Sequence, residues 1–139
     1  MISKSLRRIA ADSNVILSAI IGKAALRVFT VSDLEVMTTY FNLQEVQEYL
    51  PYFSQRYKID EFVVRTQLNM LPLSVVHENT YKNRLTFARK LLNNTDPDDA
   101  HLMALALSEN IPIWSNDKHF KDSLTAVYTT AKLLKVLNV

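Results

Sequence analysis

The chain has 139 residues, 48% of them hydrophobic, a length and composition that suit one compact domain with a sizeable core. It contains no cysteine, which excludes disulfides, thiolate nucleophiles and thiolate metal sites; any metal is left to carboxylate, carbonyl, imidazole or water ligands, the preference of hard ions such as magnesium or manganese. A formal net charge of +2 argues neither for nor against a nucleic-acid partner.

At the N-terminus, Lys4, Arg7 and Arg8 precede apolar residues as in a signal peptide, but Asp12, Ser13 and Asn14 interrupt the run. No window is long and apolar enough to span a bilayer, so a soluble, cytoplasmic protein without membrane contact is expected. Residues 6–11 form a short apolar strand, and SNVILSAIIGKAALRVF from Ser13 takes on helical spacing around Gly22. Residues 34–40, rich in Val, Thr and Tyr, predict a second strand, after which Asn42 caps a helix with an apolar stripe through Leu43, Val46, Leu50 and Phe53. Residues 59–70 repeat the helical pattern, Pro72 opens a strand over 73–76, and residues 81–92 read as helix.

The next stretch, TDPDDAHLMALAL, sets three aspartates before an almost wholly apolar helix. Asp96 serves as N-cap, Pro97 suits the first helical position, and a carboxylate is favoured at the positive end of the helix dipole. A third carboxylate adds repulsion that a cation relieves better than an amide does. IPIWS at 111–115 is a strand ending in Asn116-Asp117, and 126–128 a last short strand before a C-terminal helix.

Strands alternating with helices predict an α/β/α sandwich around a parallel sheet, because parallel strands need crossover connections. Ligands in such sheets bind beyond the carboxyl ends of the strands, where the winding reverses. Asp12 ends the first strand, Asp117 follows IPIWS, Asp99 lies in the first turn of the helix feeding that strand, and Glu45 in the first turn after the second. Each has a structural alternative: Asp12 as a helix cap, Glu45 as the glutamate of a capping box with Asn42, Asp117 as a turn residue. Together they would need four coincidences at one edge. With a single glycine there is no G-x-S-x-G elbow, P-loop or G-x-G-x-x-G, and His77, His101 and His119 have no metal-ligand spacing. A phosphoacceptor receiver would want paired acids after the first strand, where this chain has one.

With the acids so placed, the sequence resembles PIN-domain proteins, the ribonuclease fold shared by VapC-type toxins of toxin–antitoxin pairs. The resemblance spans nearly the whole chain, through ADSNVILSAI, NLQEVQEYL, DPDDAHLMALAL and IPIWSNDKHF in that order. It implies an acidic quartet of Asp12, Glu45, Asp99 and Asp117, with Asp96 as an accessory metal ligand and Ser115 as a supporting polar residue. Glu48 is a second candidate for the glutamate, one turn further from the rim. The implied activity is magnesium- or manganese-dependent hydrolysis of RNA phosphodiester bonds; the alternative is a catalytically silent PIN-like module that binds RNA or protein. The implied partners are RNA, a small antitoxin and a second copy in a homodimer. Basic clusters at Arg56, Lys58 and Arg65, at Lys82, Arg84, Arg89 and Lys90, and at Lys118 and Lys121 would meet phosphates. Tyr52 and Tyr57 are candidates for base stacking, while Trp114, inside an apolar strand, reads as core.

Overall fold

The computed structural model describes residues 6–92, 97–120 and 124–139. Five short strands, β1 (Arg8–Ala11), β2 (Glu35–Thr39), β3 (Leu73–Val76), β4 (Ile113–Trp114) and β5 (Val127–Tyr128), form one sheet in the order β3-β2-β1-β4-β5. Every pairing is parallel, so each connection crosses over. The helices are α1 (Ser13–Ile20), α2 (Ala24–Val28), α3 (Tyr40–Tyr57), α4 (Glu61–Met70), α5 (Leu85–Leu91), α6 (Pro97–Glu109) and α7 (Thr130–Leu137).

Strand periodicity divides the core into two layers. Side chains alternate across a sheet, so Ile9 and Ala11 point to one face and Ala10 to the other; Val36 and Trp114 join the first set, Met37 and Ile113 the second. The first face is covered by α1, α2, α3, α4 and α7 through residues such as Ile16, Val28, Leu50, Leu68 and Leu133. The second is covered by α5 and α6, where Leu102 to Ala106 are fully buried. The arrangement is the expected α/β/α sandwich. A helix with that much buried surface needs no strong amphipathic pattern, as its composition suggested.

Local chemistry sets the boundaries. Gly22 takes φ 74°, a left-handed conformation that suits glycine, and divides the predicted first helix into α1 and α2. Lys58 and Asn138 take the same conformation and end α3 and α7. Residues 81–92 are helical only from Leu85, with 3-10 turns at Glu78–Thr80 and Lys82–Arg84 before it. Arg8, the one charged residue of β1, stands at its first position, where its Nη1 lies 2.6 Å from Glu109 Oε1 of α6.

One boundary differs in a way that matters for the site. Thr39, not Asn42, caps α3: its backbone is extended and its hydroxyl accepts from the Asn42 N–H at 3.0 Å. The helix therefore begins three residues early and Glu45 falls in its second turn, which also removes Glu45 from the capping-box position.

Candidate active site

The strand order reverses between β1 and β4, with β2 and β3 on one side and β5 on the other. Two carboxylates flank that point. Asp12 follows β1, and its N–H donates to the Trp114 carbonyl at 3.1 Å, binding the ends of the two strands together. Its side chain then does two jobs. Oδ1 accepts from the Val15 N–H at 3.0 Å and so caps α1, while Oδ2 accepts from the Ser115 hydroxyl. The capping reading of Asp12 thus holds, yet uses only one carboxylate oxygen.

Ser115 connects the pair. Its hydroxyl donates to Asp12 and accepts from the Asp117 N–H at 3.0 Å, which turns the chain after β4 back toward β1. Asp12 is only 5% exposed. Burial pushes its carboxyl above the usual range, the Ser115 and Val15 donors oppose that rise, and the negative charge of Asp117 reinforces it. A buried acid facing a like charge is an arrangement that a cation stabilises.

The other acids lie on helices. Asp99 lies in the first turn of α6 and Glu45 in the second turn of α3; both side chains are half-buried, whereas Glu48 is exposed. Among the described residues no group of three or more His, Asp or Glu side chains is gathered closely enough to hold one metal ion. Asp96 and the side chain of Asp98 lie outside the described residues. The donor set still has the chemistry of a hard-cation site: carboxylate and hydroxyl oxygens at one edge, with no thiolate, and a carboxyl raised by burial and, to a lesser degree, by a neighbouring charge.

Behind the acids is a polar layer that reading the sequence missed. Asn42 is 1% exposed, and its Nδ2 donates to Ser13 Oγ at 3.0 Å while Oδ1 accepts from the Thr39 hydroxyl at 2.6 Å. Ser13 Oγ in turn donates to the Asn42 carbonyl at 3.3 Å. The helix carrying Glu45 is thereby tied to the residue next to Asp12. Thr38 adds a bond from β2 to the Ala11 carbonyl at 2.8 Å. The signal for this layer was the run of polar residues Thr38, Thr39 and Asn42 at the carboxyl end of an apolar strand.

As a polar residue on an otherwise apolar helix, His101 reads from the sequence as partly exposed; it is 6% exposed. The Tyr81 hydroxyl lies 2.8 Å from its Nδ1, and its ring stacks on Phe41 at 4.0 Å between centroids. Burial lowers its pKa, with Arg89 reinforcing and Glu78 opposing the shift. A neutral, stacked imidazole here joins the start of α6 to the start of α3. Trp114 is core, fully buried against Phe29, with Nε1 donating to Thr130 Oγ1 at 2.9 Å.

A family model described as PIN domain matches residues 10–137. The chain belongs to the PIN-domain family. Solved structures agree at the level of the fold. PAE2754 from Pyrobaculum aerophilum superposes with a TM-score of 0.70 at 13% identity, covering 97% of this chain and 92% of that one. VapBC2 from Rickettsia felis, determined bound to a DNA fragment from its promoter, gives 0.65 at 13% identity, and FitAcB from Neisseria gonorrhoeae 0.63 at 15%. Each of these two comparisons covers 88% of this chain and 98% of the other. No curated protein matches the sequence. Among the described residues, no helix of this PIN domain is long and apolar enough to cross a membrane.

Proposed function

We propose that this PIN domain is a divalent-metal-dependent endoribonuclease and the toxin of a toxin–antitoxin pair, acting in the cytoplasm as a single domain. The observation that carries the reading is the Asp12–Ser115–Asp117 constellation at the point where the sheet reverses direction, with its buried carboxyl held above the usual range by burial and by a second acid. Family membership supports it, since PIN domains are in general nucleases.

Asp12 and Asp117 would hold a magnesium or manganese ion together with Asp99 and Glu45, and Asp96 as an accessory. When bound, such an ion supplies Lewis-acid activation of water and neutralises charge on the phosphoryl oxygen. The protein's residues set up that chemistry. Ser115 occupies one lone pair of Asp12 Oδ2 and fixes the plane of its carboxylate, and the Val15 N–H does the same for Oδ1. The Asp117 N–H fixes Ser115, so one hydroxyl ties the Asp12 carboxylate to the backbone of Asp117. The Asn42–Ser13 bond holds the helix of Glu45 against that of Asp12.

RNA is the substrate on the strength of the resemblance to VapC-type toxins, and a single strand is easier to reach than an A-form duplex, whose deep groove hides the base edges. An antitoxin partner and a homodimer belong to the same reading. Purified protein should cleave single-stranded RNA when manganese or magnesium is titrated in, and stop on EDTA addition; Asp12→Asn should remove the activity and keep the fold.

A second reading, a silent RNA- or protein-binding module, is favoured by one observation: the described acids form no three-carboxylate group. Retention of RNA without cleavage at any metal concentration would select it.

A further inference from the structure

A groove of about 320 Å3 opens between α1 and α3, lined by Asn14, Leu17, Tyr49, Tyr52, Arg56 and Tyr57 among others. Positions 49, 52, 53, 56 and 57 recur at i, i+3, i+4, i+7 and i+8, one stripe of α3. Phe53 at the inner edge is buried and belongs to the core, but the three tyrosines are 46%, 52% and 41% exposed. A stripe serving only the core would not leave three large rings open to water. Tyr49 and Tyr52 meet edge to face at 5.1 Å between centroids, and Tyr57 packs on Phe53 at 4.7 Å, so each ring is braced by a neighbour.

The charge in the groove is one-signed. No acidic residue lines it, and Arg56, which is exposed, pairs with no carboxylate among the described residues. Its guanidinium carbon stands 5.7 Å from the centre of the Tyr57 ring. At the groove's edge, Asn14 is two residues from Asp12, so the groove leads away from the acidic edge of the sheet. From position 49 to 56 the helix runs ~10 Å, room for a few bases at a stacked spacing of about 3.4 Å.

We propose that this groove is a subsite for single-stranded polynucleotide, with Arg56 on a backbone phosphate and the exposed rings of Tyr49, Tyr52 and Tyr57 stacked on bases. A guanidinium held among tyrosines, without a carboxylate, complements a phosphodiester strand. The identity of that strand as RNA substrate rests on the nuclease reading.

The test is binding of a fluorescently labelled oligouridine to the full chain in EDTA, read by anisotropy, so that the strand stays intact. Tyr49→Ala with Tyr52→Ala should weaken binding by about tenfold or more. Arg56→Gln should weaken it and lower the salt slope by roughly the share of one phosphate, while Tyr52→Phe, which keeps the ring, should stay near wild type. Thermal melting confirms that each variant is folded. Wild-type protein that binds no oligouridine, or alanine variants that bind like wild type, would overturn the proposal. So would loss of binding to an acidic peptide with RNA affinity unchanged, which would mark a protein-docking groove. Groove-dependent binding by a protein that never cleaves RNA with manganese would leave the subsite standing and remove the nuclease reading alone.

Discussion

Asn42→Ala is the sharpest test of the polar layer behind the acids. The side chain makes two buried hydrogen bonds, donating to Ser13 Oγ at 3.0 Å and accepting from the Thr39 hydroxyl at 2.6 Å. Each is worth about 1 kcal/mol net, and the loss is larger where a buried partner is left unsatisfied. After truncation the Thr39 hydroxyl hydrogen loses its acceptor, whereas Thr39 Oγ1 still accepts from the backbone of residue 42 and Ser13 still donates to its carbonyl. The helix cap therefore survives, and of the two bonds that join α1 to α3 here only the one from the Asn42 side chain is lost. Two lost bonds and one stranded donor in a 1% exposed site give an expected destabilisation of about 2–4 kcal/mol. Urea unfolding followed by the fluorescence of Trp114, the single tryptophan and fully buried, measures it directly. A loss below about 0.5 kcal/mol, the range of ordinary surface substitutions, would show that the network does not tie the two helices together.

Removing the charge of Asp12 should change stability with pH in a defined sense. Its folded carboxyl is raised, so the folded state binds the proton more tightly than the unfolded chain and ionisation disfavours folding. That penalty is absent below the unfolded value near 3.8 and grows as pH rises through the folded pKa. In EDTA, Asp12→Asn, which keeps a capping oxygen, should therefore gain in Tm over wild type more at pH 7 than at pH 4; an equal difference at both would contradict the assignment. Ser115→Ala removes the donor to Asp12 and the acceptor of the Asp117 N–H, and should cost about 2–4 kcal/mol in urea unfolding while lowering manganese-dependent cleavage. A variant with both properties unchanged would dissociate Ser115 from the acids. Trp114→Phe removes one of the two donors to Thr130 Oγ1, leaving that of Asn116, and opens a small cavity, for an expected loss of about 2–3 kcal/mol by thermal or chemical unfolding; a neutral result would mean the indole N–H contributes nothing.

The fold was readable because its strands are short, apolar and separated by helical runs, a pattern that admits few topologies. The strand at 73–76 coincides with its prediction, and the others shrink by a residue or more at their ends. What escaped was decided by tertiary hydrogen bonds. Asn42 is a good cap by residue type, but Thr39 reaches the helix start first and releases Asn42 to bind Ser13, twenty-nine residues away in sequence. His101, polar on an apolar helix, reads as exposed until Tyr81 and Phe41 are seen to enclose it. The bond from Ser115 to Asp12, which links Asp12 to Asp117, spans 103 residues. Only a topology placing β1 beside β4 makes it visible.

The central claim is that Asp12 and Asp117, positioned by Ser115, form the core of a divalent-cation site. Calorimetric titration of manganese into the EDTA-treated, dialysed protein tests it without reference to any substrate. Saturable binding by wild type that is lost or greatly weakened in both Asp12→Asn and Asp117→Asn, each still folded, is the expected result. Wild-type protein that takes up no manganese, or variants that take it up equally well, would contradict the account.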